Sequence, residues 1–183
     1  IRSRLTWIPL ALLLIAYSCM VAALARPQSF SSKASSETEG INIMMALDIS
    51  GSMLARDLQP NRVEAAKEVA GEFISSREYD NIGLVIFAGE SFTQCPLTTD
   101  HAILLSLLGQ VDIGLLEDGT AIGDGLATAV SRLKDQKGDS KVVILLTDGT
   151  NNAGTIDPMT AAEIAKSFGI RVYTIAVGTM GQA

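Results

Sequence analysis

Four stretches of this chain are apolar almost from end to end: "INIMMALD" from Ile41, "NIGLVIFA" from Asn81, "KVVILLTD" from Lys141 and "IRVYTIAVG" from Ile170. A strand with one face in water alternates apolar and polar residues, whereas a strand covered on both faces does not. Between these runs lie segments with helical spacing. In "NRVEAAKEVAGEFISS", Val63, Ala66, Ala70, Phe73 and Ile74 share one face, and Asn61 with Glu64 resembles a capping box. "DHAILLSLLGQ" opens at an Asp100 N-cap, and "TAIGDGLATAVSRLK" is a further helix. "DPMTAAEIAKSFG" carries Asp157 as N-cap, Pro158 at the first helical position and Gly169 at its stop. "SFTQCPLT" contains Pro96 and suits an edge strand that ends there. The alternation predicts an α/β fold, a doubly wound and mostly parallel sheet with one short edge strand. In such sheets the ligand site lies beyond the carboxyl ends of the strands.

Two of the apolar runs end in an aspartate followed by small polar residues: Asp48-Ile49-Ser50-Gly51-Ser52 and Asp148-Gly149-Thr150-Asn151-Asn152. A third loop, "LEDGTAIGDG", carries Glu117, Asp118, Thr120 and Asp124 before a helix. In extended chain Asp48, Ser50 and Ser52 share one side, and Gly51 permits a tight turn that lets their oxygens converge. A nucleophile, a cap or a metal site could each use this arrangement. A serine nucleophile needs a base and an oxyanion hole. His101 is the only histidine, nothing ties it to Ser50, and no G-x-S-x-G elbow is present. A P-loop is absent as well. Oxygen donors alone suit a hard cation, Mg²⁺, Mn²⁺ or Ca²⁺, and two hydroxyls with one or two carboxylates leave a coordination position open. A carboxylate of a partner would fill it. Thr120 alone would read as a helix N-cap, Asn151 and Asn152 as turn formers, Asp57 as a loop or cap residue, Glu117 and Asp118 as the rim, and Asp124 as a solvated residue or one behind the ligands rather than a ligand.

The N-terminus has a different character. No charge separates Arg4 from Arg26, and "LTWIPLALLLIAYSCMVAALA" has the length of a membrane-crossing helix. Residues 5–25 are read as a transmembrane helix after a basic flank at 1–4, with Trp7 as interfacial anchor. A cleaved signal peptide is the rival reading, with Ala23-Leu24-Ala25 as its cleavage site. Residues 26–40, rich in serine, are a linker. The net charge of −6 over 183 residues excludes a nucleic-acid binder, which needs a basic surface. Cys19 and Cys95 are too differently placed to pair.

The pattern Asp48-x-Ser50-x-Ser52, with Thr120 in a later loop and Asp148 after a later strand, resembles the metal-ion-dependent adhesion site of von Willebrand factor A domains. That resemblance implies a divalent cation held by these five residues, directly or through water, and a domain over residues 41–183. Family members continue past the "IAVG" strand, so the C-terminal end of the domain is expected to be missing from this chain. "ALARPQ", "DISGSMLARDLQPNRVEAAK" and "LLTDGTNNAG" are similar to bacterial BatA-type aerotolerance proteins. This implies an inner-membrane protein with a periplasmic A domain and no enzymatic activity. Its partners would be a protein offering an acidic residue, other Bat-type membrane proteins and a MoxR-type AAA+ ATPase. The first functional expectation is adhesion to a partner protein in an envelope-stress complex. The alternative is a subunit that couples the ATPase to a client or to metal insertion.

Overall fold

Strand β1 (Asn42–Asp48) is buried at every position, which makes it the spine of the domain. The computed structural model describes residues 7–24, 40–138 and 140–178. Within them β1 is flanked by β2 (Asn81–Phe87) and β4 (Lys141–Thr147), both parallel to it. β5 (Arg171–Ala176) runs parallel to β4, and β3 (Ser91–Thr98) runs antiparallel to β2. The described sheet has the order β3-β2-β1-β4-β5. The expected antiparallel edge strand is thus present, but it does not end at Pro96. The register shifts between β2 and β3, pairing Leu84 with Cys95 and Ile82 with Thr98. That irregularity absorbs the proline's missing N–H and lets the strand run on.

The alternation of side chains along β1 separates two cores. Ile43, Met45 and Leu47 meet helix α2 (Arg62–Ser75) and helix α3 (His101–Gly109) through Val63, Ala66, Ala70, Ile74, Leu104 and Leu108. Met44 and Ala46 face helix α4 (Ile122–Leu133) and helix α5 (Pro158–Ser167), where Leu126, Ala129, Leu133, Ala161 and Ala165 close the other layer. Each fully buried Leu, Ile or Phe stabilises such a core by roughly 1.5–3 kcal/mol. The expected caps hold at Asn61, Asp100 and Asp157. The capping box at α2 is only half made: Asn61 accepts from Glu64 N–H, while the Glu64 carboxylate pairs with Lys67. Lys67 also donates to the Val111 carbonyl beyond the end of α3, locking the two helices together. His101 Nε2 lies 2.9 Å from the Asp80 carbonyl, so the lone histidine has a structural contact. Gly71 is spare in this packing. Its nearest neighbour, Leu105 Cδ2, would sit 3.7 Å from an added Cβ. Gly71→Ala is expected to raise unfolding stability by about 0.5–1 kcal/mol through helix propensity. Urea unfolding measures this, and a loss would mean that α2 and α3 pack more tightly than these distances allow.

Contacts divide the chain into Ile1–Glu37 and Thr38–Ala183. In the first unit α1 (Trp7–Leu24) carries exposed apolar side chains, among them Leu12, Leu13, Leu14 and Ile15. The expected transmembrane span over 5–25 is not reproduced. Among the described residues no helix is long and apolar enough to cross a membrane. As described, α1 has 18 residues, and both of its ends meet residues that lie outside the described ones. Residues 5, 6 and 25, the basic flank 1–4 and the linker up to residue 39 lie outside the described residues.

Candidate metal site

The sheet register brings the first and third loops together. Leu47 pairs with Leu146, so Asp48 at the end of β1 stands beside Thr147 at the end of β4. This is also where the strand order reverses, the place a doubly wound sheet opens a crevice. Thr147 Oγ1 donates to Asp48 Oδ2 at 2.6 Å, and Ser50 N–H donates to Oδ1 at 2.9 Å. Asp48 is 0% exposed. Burial pushes its carboxyl pKa up, the hydrogen bonds from Ser50 and Thr147 work against that, and the charge of Asp148 raises it further.

Asp48, Ser50 and Ser52 do not alternate along a strand. β1 stops at Asp48, Ser50 is extended, and Gly51–Leu54 form a single 3-10 turn. The turn swings Ser52 back, leaving Ser50 Oγ and Ser52 Oγ 3.1 Å apart. Ser52 Oγ donates to Asp148 Oδ1 at 2.7 Å. Convergence therefore comes from the turn rather than from strand pleat. Gly51 serves differently from expectation too. It is not among the glycines with positive φ. Its N–H instead donates to Asp118 Oδ1 at 3.1 Å, and an added Cβ would come 3.2 Å from that oxygen. Asp118 is thus more than rim: it ties the second loop to the first.

Thr120 arrives from the other side. The loop before α4 lies along the end of β2, with Ala121 N–H donating to the Ala88 carbonyl and Gly89 N–H to the Glu117 carbonyl. Thr120 N–H donates to Asn152 Oδ1 at 2.8 Å, and Asn152 N–H returns to the Thr120 carbonyl. The asparagine expected as a turn former is therefore the clasp between the second and third loops. Thr120 does not cap α4, whose N-cap is Ala121. Its side chain lies against the third loop, where a Cβ on Gly149 would stand 3.8 Å from Thr120 Oγ1. Thr120 is 4% exposed, and among the described residues its hydroxyl makes no hydrogen bond. Asp124 likewise braces the third loop, accepting from the N–H groups of Thr155 and Ile156.

Sequence reasoning missed Arg62. Its Nε and Nη2 donate to the two oxygens of Asp57, at 2.8 and 3.0 Å, and its Nη1 donates to Asp148 Oδ2 at 2.7 Å. The hydrogen bonds to Asp57 and then Asp148 raise the guanidinium pKa still further. One signal was available. Arg62 is the first residue of α2, and a cation there opposes the helix dipole, a local conflict that marks a functional position. Among the described residues no three His, Cys, Asp or Glu side chains group as metal ligands, so an ion at this site would lean on hydroxyls.

Residues 42–183 match the von Willebrand factor type A domain. The chain belongs to that family. It is 36% identical over 152 residues to a UPF0353 protein of Mycolicibacterium paratuberculosis, covering 76% of this chain and 45% of the relative. An aerotolerance-related membrane protein of Bacteroides fragilis has a crystal structure similar to this one. Its identity is 38% and its TM-score 0.71, over 76% of this chain and 68% of that one. Proximal thread matrix protein 1 of the mussel byssus, in a form whose MIDAS motif is occupied by zinc, aligns with a TM-score of 0.68 at 28% identity. That alignment covers 76% of this chain and 36% of the mussel protein. The chain spans about half the length of the curated relatives it matches.

Proposed function

We infer that this A domain holds a divalent cation with Asp48, Ser50, Ser52, Thr120 and Asp148, and uses it to grip a carboxylate of a partner protein. The observation that carries the reading is the meeting of oxygens beyond the ends of β1 and β4. Ser52 Oγ lies 3.1 Å from Ser50 Oγ and 2.7 Å from Asp148 Oδ1, and the Thr120 side chain lies against the same loop. The donor set fits: two carboxylates and three hydroxyls are hard oxygens, and the buried Asp48 carboxylate gains from a neighbouring cation. Mg²⁺ is the expected ion, and the zinc found in the mussel protein makes Zn²⁺ the first competitor to test. The chain's own residues orient and bind. Ser50 and Ser52 present hydroxyls, Asp48 and Asp148 supply charge, and Asn152 and Asp118 hold the three loops in place. The cation, when bound, supplies the Lewis-acid contact to the partner.

The domain is read as attached to the bacterial inner membrane and lying on its outer side; the likeness to an aerotolerance-related membrane protein supports the membrane attachment. Co-purification of the full chain from membranes tests the reading. Partner proteins are expected with Mg²⁺, and are expected to be lost with chelator or with Asp48→Ala. Partners retained under both treatments would sink it. A MoxR-type AAA+ ATPase among the chelator-sensitive partners would shift the role to coupling ATP-driven remodelling to a client. Protease digestion of the domain in spheroplasts, but not in intact cells, is the matching result for topology.

A further inference from the structure

Arg62 stands where helix chemistry argues against it, and three contacts explain why it is there. Its planar fork is filled on one side by both oxygens of Asp57. The remaining Nη1 reaches Oδ2 of Asp148, whose side chain is fully buried, while the Arg62 side chain is only 14% exposed. On a third side, the backbone leaving β5 packs against the guanidinium. An added Cβ on Gly178, where φ is +146°, would lie 3.3 Å from Arg62 Cζ. A buried carboxylate needs a partner. Asp148 has two: Arg62 on Oδ2 and the Ser52 hydroxyl on Oδ1.

We propose that Arg62 is the internal counter-cation of the metal site, competing with the divalent ion for Asp148 and holding the ion's affinity down. The inference rests on the metal reading above. Ion and guanidinium share one carboxylate, and two cations on either side of it repel strongly in a shielded site. Asp57 decides how hard Arg62 competes. By engaging Nε and Nη2 it leaves Nη1 to reach Asp148, and its charge offsets the guanidinium's. The device has a purpose consistent with adhesion. Without an ion, Arg62 keeps Asp148 paired and the loops assembled. With a weakly held ion, the carboxylate of a partner completes the complex.

Two substitutions then act in opposite directions. In Arg62→Gln the competitor is gone, so Mg²⁺ binds roughly tenfold more tightly or better. The same variant in chelator leaves Asp148 buried without its ion pair, so its Tm falls and the Tm gain on adding Mg²⁺ grows. In Asp57→Asn the guanidinium turns its charge on Asp148 and Mg²⁺ binds several-fold more weakly. Calorimetry with MgCl₂ on the full chain in detergent, with thermal unfolding in chelator and in Mg²⁺, reads both. A residue that merely braced Asp148 would weaken ion binding when removed, so unchanged or weaker binding in Arg62→Gln overturns the proposal. A gain that vanishes at about 0.5 M KCl overturns it as well, because contact competition in a buried site resists screening. If Arg62→Gln folds only with Mg²⁺ present, Asp57→Asn carries the test, and unchanged or tighter binding there is the contrary result. A wild-type chain that binds no Mg²⁺ would sink the metal reading itself. Wild-type binding with an indifferent Arg62→Gln would sink only this inference.

Discussion

Asp48→Ala ends divalent-cation binding while the domain stays folded. Asp48 closes the central strand, is 0% exposed, and lies within reach of both Ser50 and Thr147. Two effects of the substitution oppose each other in the metal-free protein. The Ser50 N–H and the Thr147 hydroxyl lose an acceptor, which costs about 1–3 kcal/mol for a buried group left unpaired. Against that, a carboxylate that burial and Asp148 both penalise is removed. The Tm in chelator therefore moves by only a few degrees. The metal-bound state tells the variants apart. Wild-type protein at a hundredfold excess of ion over Kd gains about 2.7 kcal/mol. For a domain of this size that raises Tm by roughly 5–10 °C. The variant gains nothing, and calorimetry shows no heat of Mg²⁺ binding. Asp48→Asn keeps the side-chain volume and gives the same result, which separates loss of charge from loss of packing. Retained affinity in both variants would remove Asp48 from the site.

The prediction rests on a site that was only partly legible in the chain. The strands were plain because burial on both faces removes most polar residues from β1 and β2, and each short run is bounded by turn residues. The five candidate ligands were legible as residue types at strand ends. How they meet was not. Ser52 reaches Asp148 through a 3-10 turn, whose geometry depends on the Gly51–Asp118 contact across 67 positions. Thr120 looked like a cap because Thr often caps helices, yet α4 starts one residue later and leaves its hydroxyl uncommitted. Asn152, Asp118 and Asp124 looked like loop polarity because their partners are backbone N–H groups, which a sequence does not display. Arg62 was hidden by its distance from Asp148, 86 positions away, although its place at a helix start against the dipole was visible. The choice of ion was legible only as hard against soft. Oxygen donors disfavour zinc, yet the mussel relative carries zinc in its motif, so ligand type narrows the choice without closing it.

Gly123→Ala carries the second large effect, and it reaches the site from outside it. Gly123 lies in the first turn of α4 and packs against the loop that leads into α5. An added Cβ would fall 1.8 Å from the Ile156 carbonyl oxygen and 2.7 Å from its carbon. Both are backbone atoms, so no side chain can rotate away. Ordinary contact needs close to 3.5 Å or more, and α4 and the loop must part by upward of about 1 Å. Neither can move freely. Two residues on, Gly125 sits where a Cβ would meet the Phe87 ring at 2.7 Å, so α4 is already seated on the sheet. The loop is held by Asp124 to Thr155 and Ile156, and by Asn152 to Thr120. Separation breaks these bonds in turn and pulls Thr120 away from Asp148. The expected cost is about 3 kcal/mol or more, at the upper end for an overpacked interior. Divalent-cation affinity is expected to fall more than about tenfold even in protein that remains folded, since a ligand displaced by an ångström no longer serves the same ion. Urea unfolding and calorimetry measure the two losses separately. Gly71→Ala makes the same chemical change where the space is open and should stabilise, so the pair isolates packing from backbone entropy. A Gly123→Ala protein with full stability would show that the loop yields. Full stability with lost affinity would place the whole effect at Thr120.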